Sequence, residues 1–118
     1  MKTIQLKKIR RADLEVLQQE LEQYAEIQRL GYHFWTIDEF LNAIIAVDIA
    51  HALWIKLRNK LENDNAFFTM TFKLNEASVL MKCCYWQRAE RTQYQKNVAE
   101  KYKNIIDQKL KSIIPVAH

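Results

Sequence analysis

Two side chains able to do chemistry, Asp48 and His51, interrupt the most apolar part of the chain, IIAVDIAHALWIKLRNKLE at residues 44–62. In a helix, residues three apart share a face, so the carboxylate and the imidazole are neighbours. Three chemistries suit such a pair: metal binding, acid–base or nucleophilic catalysis, and a polar clasp inside a helical core.

Metal binding needs more ligands than this chain supplies. Asp-x-x-His matches in spacing the Glu-x-x-His unit by which helical bundles hold two-metal centres, but such centres take two units plus further carboxylates on facing helices. No second unit is present, and His33 and His118 fall in an expected loop and at the C-terminus. Neither a metal nor a cofactor is expected. An Asp orienting a His is also half of a catalytic triad, yet no Ser or Cys elbow, Gly-rich loop or oxyanion motif accompanies it. Cys83 and Cys84 are adjacent, point apart on a helix and match no zinc or redox spacing. The expectation is a non-enzymatic protein in which Asp48, His51 and Glu62 meet Arg88 and Arg91 in a buried polar network. Such a network would fix helix register, because a carboxylate buried without a partner costs several kcal/mol.

The elements that would position these groups follow from punctuation and periodicity. With one Gly and one Pro in 118 residues, a sandwich or barrel lacks its turns; at 49% hydrophobic, a single helical domain has its core. Leu14, Leu17, Leu21 and Tyr24 recur at helical spacing, predicting a helix over about 12–30 with its acids on the solvent side and Gly31 as a left-handed cap. Thr36 with Glu39 forms a capping box, and Trp35 with Phe40 a hydrophobic staple, opening a central helix over 37–62. Its expected core arc includes Leu41, Ile44, Ile45 and Ile55. Phe68, Met70, Phe72 and Leu74 alternate with polar residues, predicting a strand at 67–74. Its partner is expected to be a short strand at 3–7 or a second protomer. From Asn75, a plausible N-cap, helical pattern runs to Pro115. An unbroken helix would be about 60 Å long, whereas a domain of this size has a radius of gyration near 13.5 Å. The second capping box, Thr92 with Gln95, places a break before it, giving helices at 76–90 and 93–113 in place of one helix over 76–113. The fold expected is mainly α: a small bundle of three to four helices with one or two short strands.

Charge and aromatics bear on partners. Net charge is +4, with five basic residues in 1–11, five acidic in 13–28, and eight basic against three acidic in 82–111. An acidic and a basic helix can neutralise each other within one domain. The alternative is a nucleic-acid surface on the last helix, where Lys96, Lys101, Lys103 and Lys109 would contact phosphates. No helix-turn-helix pattern supports it. Tyr32 and Phe34, with Phe67 and Phe72, are candidates for an interaction patch. The N-terminus lacks the apolar core of a secretory signal, and no run of about 18 uncharged apolar residues marks a membrane span. The expected role is therefore a small cytoplasmic protein-interaction module, binding a protein or a second copy of itself. Nucleic-acid binding is second, and a ligand-binding or catalytic pocket around Asp48 and His51 is third.

Overall fold

The computed structural model describes residues 2–31, 36–86 and 90–113. In chain order it contains β1 (Thr3–Arg10), α1 (Arg11–Gly31), α2 (Ile37–Leu61), β2 (Phe67–Lys73), α3 (Leu74–Tyr85) and α4 (Gln93–Ile113). This is the mainly helical domain with a short sheet that the pattern predicts. β1 and β2 pair antiparallel within the chain. α1 is the hub, touching β1 and the three other helices.

Helix boundaries follow side chains that satisfy orphan backbone groups. At the start of α2, Thr36 Oγ1 accepts from the Glu39 amide at 3.2 Å, and Glu39 Oε2 accepts from the Thr36 amide at 3.2 Å. At the start of α4, Thr92 and Gln95 make the same reciprocal pair. α3 begins two residues earlier than Asn75 implies, because Glu76 Oε1 accepts from the Lys73 amide at 2.8 Å and makes Lys73 the N-cap. It ends at Tyr85, short of the expected residue 90, where Trp86 turns extended. The break is real, and the long axis of 42 Å is shorter than an unbroken rod would need. Gly31 is not the left-handed cap expected of it: it is the last helical residue and has no positive φ. Trp35 of the expected staple lies outside the described residues.

β1 is longer than expected because a bulge resets its alternation. Leu6 faces Met70 and Ile9 faces Phe68, so three steps on β1 oppose two on β2. Strict alternation from Ile4 and Leu6 would turn Ile9 outward; the extra residue turns it into the core. Lys8 absorbs the kink at φ 56°. The inner sheet face (Ile4, Leu6, Ile9, Phe68, Met70, Phe72) then closes one side of a core completed by Leu17, Leu21, Leu53, Leu57, Leu80 and Ile106.

Arg11 fastens the α2–β2 connection. Its guanidinium donates to the carbonyls of Leu61 (3.0 Å), Asn65 (3.1 Å) and Asn63, and it stacks over Phe68 with 5.1 Å to the ring centroid. Lys56 similarly ties α2 to the sheet, donating to the Thr71 carbonyl at 2.7 Å and to Glu76 at 3.3 Å.

The bulge yields a test. A left-handed conformation costs a non-glycine residue about 1–2 kcal/mol, and a β-branched one more. Lys8→Val is expected to lower unfolding stability by about 1–2 kcal/mol, whereas Lys8→Gly is expected to be neutral or to raise it by up to about 1 kcal/mol. Urea unfolding of both variants checks this; a Val variant as stable as wild type would contradict the assigned bulge.

Candidate functional site

Two buried carboxylates on α1, not Asp48 on α2, organise the polar interior. On the α1 wheel, at about 100° per residue, Asp13 and Glu20 fall within about 40° of Tyr24, in the middle of the buried arc. Glu15, Glu22 and Glu26 fall on the opposite, exposed side. The expected solvent-side placement of the α1 acids therefore holds for Glu15, Glu22 and Glu26 and fails for Asp13 and Glu20, which lie in the core.

Glu20 is completely buried. Its Oε2 accepts from Arg91 Nη2 at 2.7 Å and from Arg91 Nε at 3.0 Å. The same Nη2 donates to the Cys83 carbonyl at 2.8 Å, within the last turn of α3. Arg91 therefore closes the C-terminus of α3, neutralises an acid on α1, and immediately precedes the N-cap of α4. Asp13 receives Tyr102 Oη at 3.0 Å and Tyr94 Oη at 2.5 Å, with Lys101 Nζ 3.7 Å away. The acidic first helix and basic last helix thus meet internally, through these few groups.

The expected network does not form. Asp48, His51 and Glu62 are exposed on the outside of α2, and Arg88 lies outside the described residues. Arg91 is buried as expected, but its partner is Glu20. The physical reason lies in α2, whose apolar arc is too wide to choose a face by hydrophobicity alone. The face that packs carries Ala46, Ala50, Leu53 and Leu57, where the small alanines let α2 approach its neighbours closely. The opposite face, with Ile37, Leu41, Ile44, Ile45 and Ile55, stays 41–69% exposed. Beside it runs an open groove of about 580 Å³ between α1 and α2, lined by Arg29, Phe40, Ile44, Val47, Asp48 and His51 among others.

Other singled-out residues separate as follows. Phe72 is fully buried, since alternation places it with Phe68 and Met70, so it is no part of a surface patch; Phe67 is 59% exposed on the outer sheet face. Tyr32 and Phe34 lie outside the described residues. Lys96, Lys101 and Lys109 are exposed and Lys103 is half-buried. Lys101 leans towards Asp13, and Lys103 pairs with Glu100 at 3.1 Å. Among the described residues no three His, Cys, Asp or Glu side chains converge on a common point. Burial, reinforced by Glu20, pushes the Cys84 thiol up to about 12, and burial with the neighbouring Cys84 also holds the Cys83 thiol well above its ordinary value, so neither is poised as a nucleophile.

By length and a mean hydropathy of 1.6, α2 is long and apolar enough to cross a membrane. In this fold one face is committed to α1 and α3. The middle of the other carries Asp48, a residue that costs about 2.5–3.5 kcal/mol at the centre of a bilayer.

Comparison with family models, curated proteins and solved structures finds no match. The reading of function therefore rests on the chain's own surfaces.

Two measurements test the interior. Arg91→Met removes the guanidinium that donates twice to the buried Glu20 carboxylate and is expected to cost about 3–5 kcal/mol. Glu20→Leu combined with Arg91→Met is expected to recover a large part of that loss, because the two residues share one interaction. Additive losses in chemical denaturation would show that the pair is not coupled.

The second measurement is alkaline titration. Burial, then the bond to Asp13, raises the Tyr102 hydroxyl well above its ordinary value of 10.0. Above that pH the unfolded chain releases a proton that the folded chain retains. The stabilisation is thus complete below pH 10 and is lost as pH climbs towards the folded value. Tyr102→Phe is expected to flatten this alkaline decline in melting temperature; an unchanged slope would mean that Tyr102 does not cause it.

Proposed function

We propose that this protein is a non-enzymatic interaction module and that the outer face of α2 is its contact surface. One observation carries the reading: five large aliphatic side chains line one exposed stripe of a helix whose opposite face is already packed. Isolated apolar residues on a surface need no explanation, but a contiguous row of them in a well-packed domain marks a place where another molecule sits. Its polar members, Asp48 and His51, fit a contact that is recognised by charge as well as by apolar area. Nucleic-acid binding is less well supported, because Lys101 and Lys103 already lean on Asp13 and Glu100.

A photo-crosslinking side chain at position 45, in cells that naturally express the protein, tests the proposal. Ile45 is among the most exposed members of the stripe, and Glu22, exposed on α1, is the control position. Discrete adducts from position 45 with none from position 22 are expected. No adduct at 45, or the same adducts from both positions, would overturn the assignment.

A further inference from the structure

The exposed stripe of α2 runs the length of the helix, opposite the packed row of Ala46, Ala50, Leu53 and Leu57. From Ile37 to Glu62 its residues recur at spacings of four and three in strict alternation: 37, 41, 44, 48, 51, 55, 58, 62. That is the spacing of a coiled-coil seam, with Ile37, Leu41, Ile44 and Ile55 as its aliphatic members and Asp48, His51, Arg58 and Glu62 as its polar ones, on a face left exposed by the rest of the described chain. We infer that the occupant of this face is a second copy of the chain, with the two α2 helices antiparallel about a twofold axis between Asp48 and His51. The inference rests on the interaction reading above and names its partner.

Self-complementarity decides the register. A twofold interface presents the same patch from both sides, so every contact occurs twice. With the axis between Asp48 and His51, Ile44 of one copy faces Ile55 of the other, and Asp48 faces His51. Leu41 meets the aliphatic stem of Arg58, whose guanidinium already lies over Trp54 of its own helix. At the rim, Ile37 meets Glu62, next to solvent. Just beside the seam, the highly exposed Ile45 sits against the small Ala52. Sliding one helix by a heptad in one direction sets Asp48 against Ile44 and His51 against Leu41; sliding it in the other brings Asp48 to Arg58 but sets Ile44 against Glu62 and His51 against Ile55. Each alternative separates Ile44 from Ile55 and Asp48 from His51 at the middle of the seam, whereas the central register confines its aliphatic–charged contacts, Leu41 with Arg58 and Ile37 with Glu62, to the ends. Only the central register matches aliphatic with aliphatic and acid with imidazole. A parallel pairing sets Asp48 against its own copy, which is repulsive.

Size sets the strength. Five half-exposed aliphatic side chains, supplied twice, approach the roughly 1,000 Å² that separates a specific interface from an incidental one. The pairing is therefore weak and reversible, and it populates at high protein concentration.

Disulfide trapping in the purified full-length chain tests the register. In this arrangement residue 44 lies beside residue 55 of the other copy but is offset from its own counterpart by eleven residues, about 16 Å along the helix, well beyond the roughly 7 Å limit for a bridge. A mixture of Ile44→Cys and Ile55→Cys proteins is expected to form covalent dimer at least about tenfold faster than either alone. The buried native cysteines should take no part. Sedimentation equilibrium supplies an independent arm: Asp48→Lys is expected to weaken association about tenfold, and the exchange Asp48→His with His51→Asp to restore it. These are surface positions, so circular dichroism and melting temperature should match wild type. A chain that stays monomeric at high concentration, self-linking by Ile44→Cys alone, or no rescue by the exchange would each overturn the pairing. The photo-adduct at position 45 separates the two readings. In the purified protein at high concentration a product of twice the chain mass supports self-pairing and its absence defeats it; in cells a product of another mass leaves the interaction reading standing, and no product in either setting defeats both.

Discussion

The joint between α1, α3 and α4 depends on the Arg91 guanidinium. It joins the buried Glu20 on α1, distant in sequence, to two consecutive helices: the last-turn carbonyl of Cys83 on α3, and the start of α4 directly after it. The need for it follows from composition. A chain with one glycine has few residues suited to left-handed caps, yet the last carbonyls of its helices still require donors. Arginine side chains meet that need here. Arg91 serves α3, and Arg11 serves α2 through the carbonyls of Leu61, Asn63 and Asn65. Each arginine comes from a residue at or just before the start of another helix, so each cap is also a tertiary contact, and local closure cannot be separated from global assembly.

The same logic explains why acids are buried on α1. A guanidinium drawn into the interior by carbonyls brings a full charge, and a carboxylate must follow it. Glu20 supplies that carboxylate. Asp13, about two turns earlier, does comparable work for the Tyr94 and Tyr102 hydroxyls, which are themselves two turns apart on α4. α1 and α4 are thus registered at two levels, by hydrogen bonds whose geometry permits no sliding, around apolar contacts that would tolerate it.

Much of the architecture was legible because it is written in short-range chemistry. The capping boxes at Thr36 and Thr92 place the starts of α2 and α4, and the alternation at Phe68, Met70 and Phe72 places β2, without reference to anything distant. What was illegible depends on choices between surfaces. The α2 wheel offers two apolar faces, and hydrophobicity favours the isoleucine-rich one; the fold takes the alanine-rich one because close approach of helices outweighs side-chain size. That choice carried Asp48 and His51 from the expected core to the outside. The bulge at Lys8 was hidden for a different reason. One inserted residue leaves the composition unchanged and shifts only the phase, so Ile9 reads as outward until its partner Phe68 is known. Asp13 and Glu20 were legible individually and were lost by treating α1's charge as a block.

The exchange of faces on α2 also changes what its polar residues mean. In a core, Asp48 and His51 would have been intruders requiring compensation from other helices. On an exposed aliphatic stripe they act differently, because a continuous row of isoleucine would pair with almost any apolar surface in any register. Two polar groups of opposite character at the centre of the row penalise every arrangement that fails to match them. They lower the attraction of the surface while raising its selectivity. That trade suits a contact meant to form with one partner in one geometry, and an unselective sticky helix has no use for it. The Glu20–Arg91 pair and the Asp48–His51 pair are then two uses of one device. Charge placed among apolar side chains adds little net attraction and excludes the wrong neighbours, in the first case within the chain and in the second, on the reading proposed here, between chains.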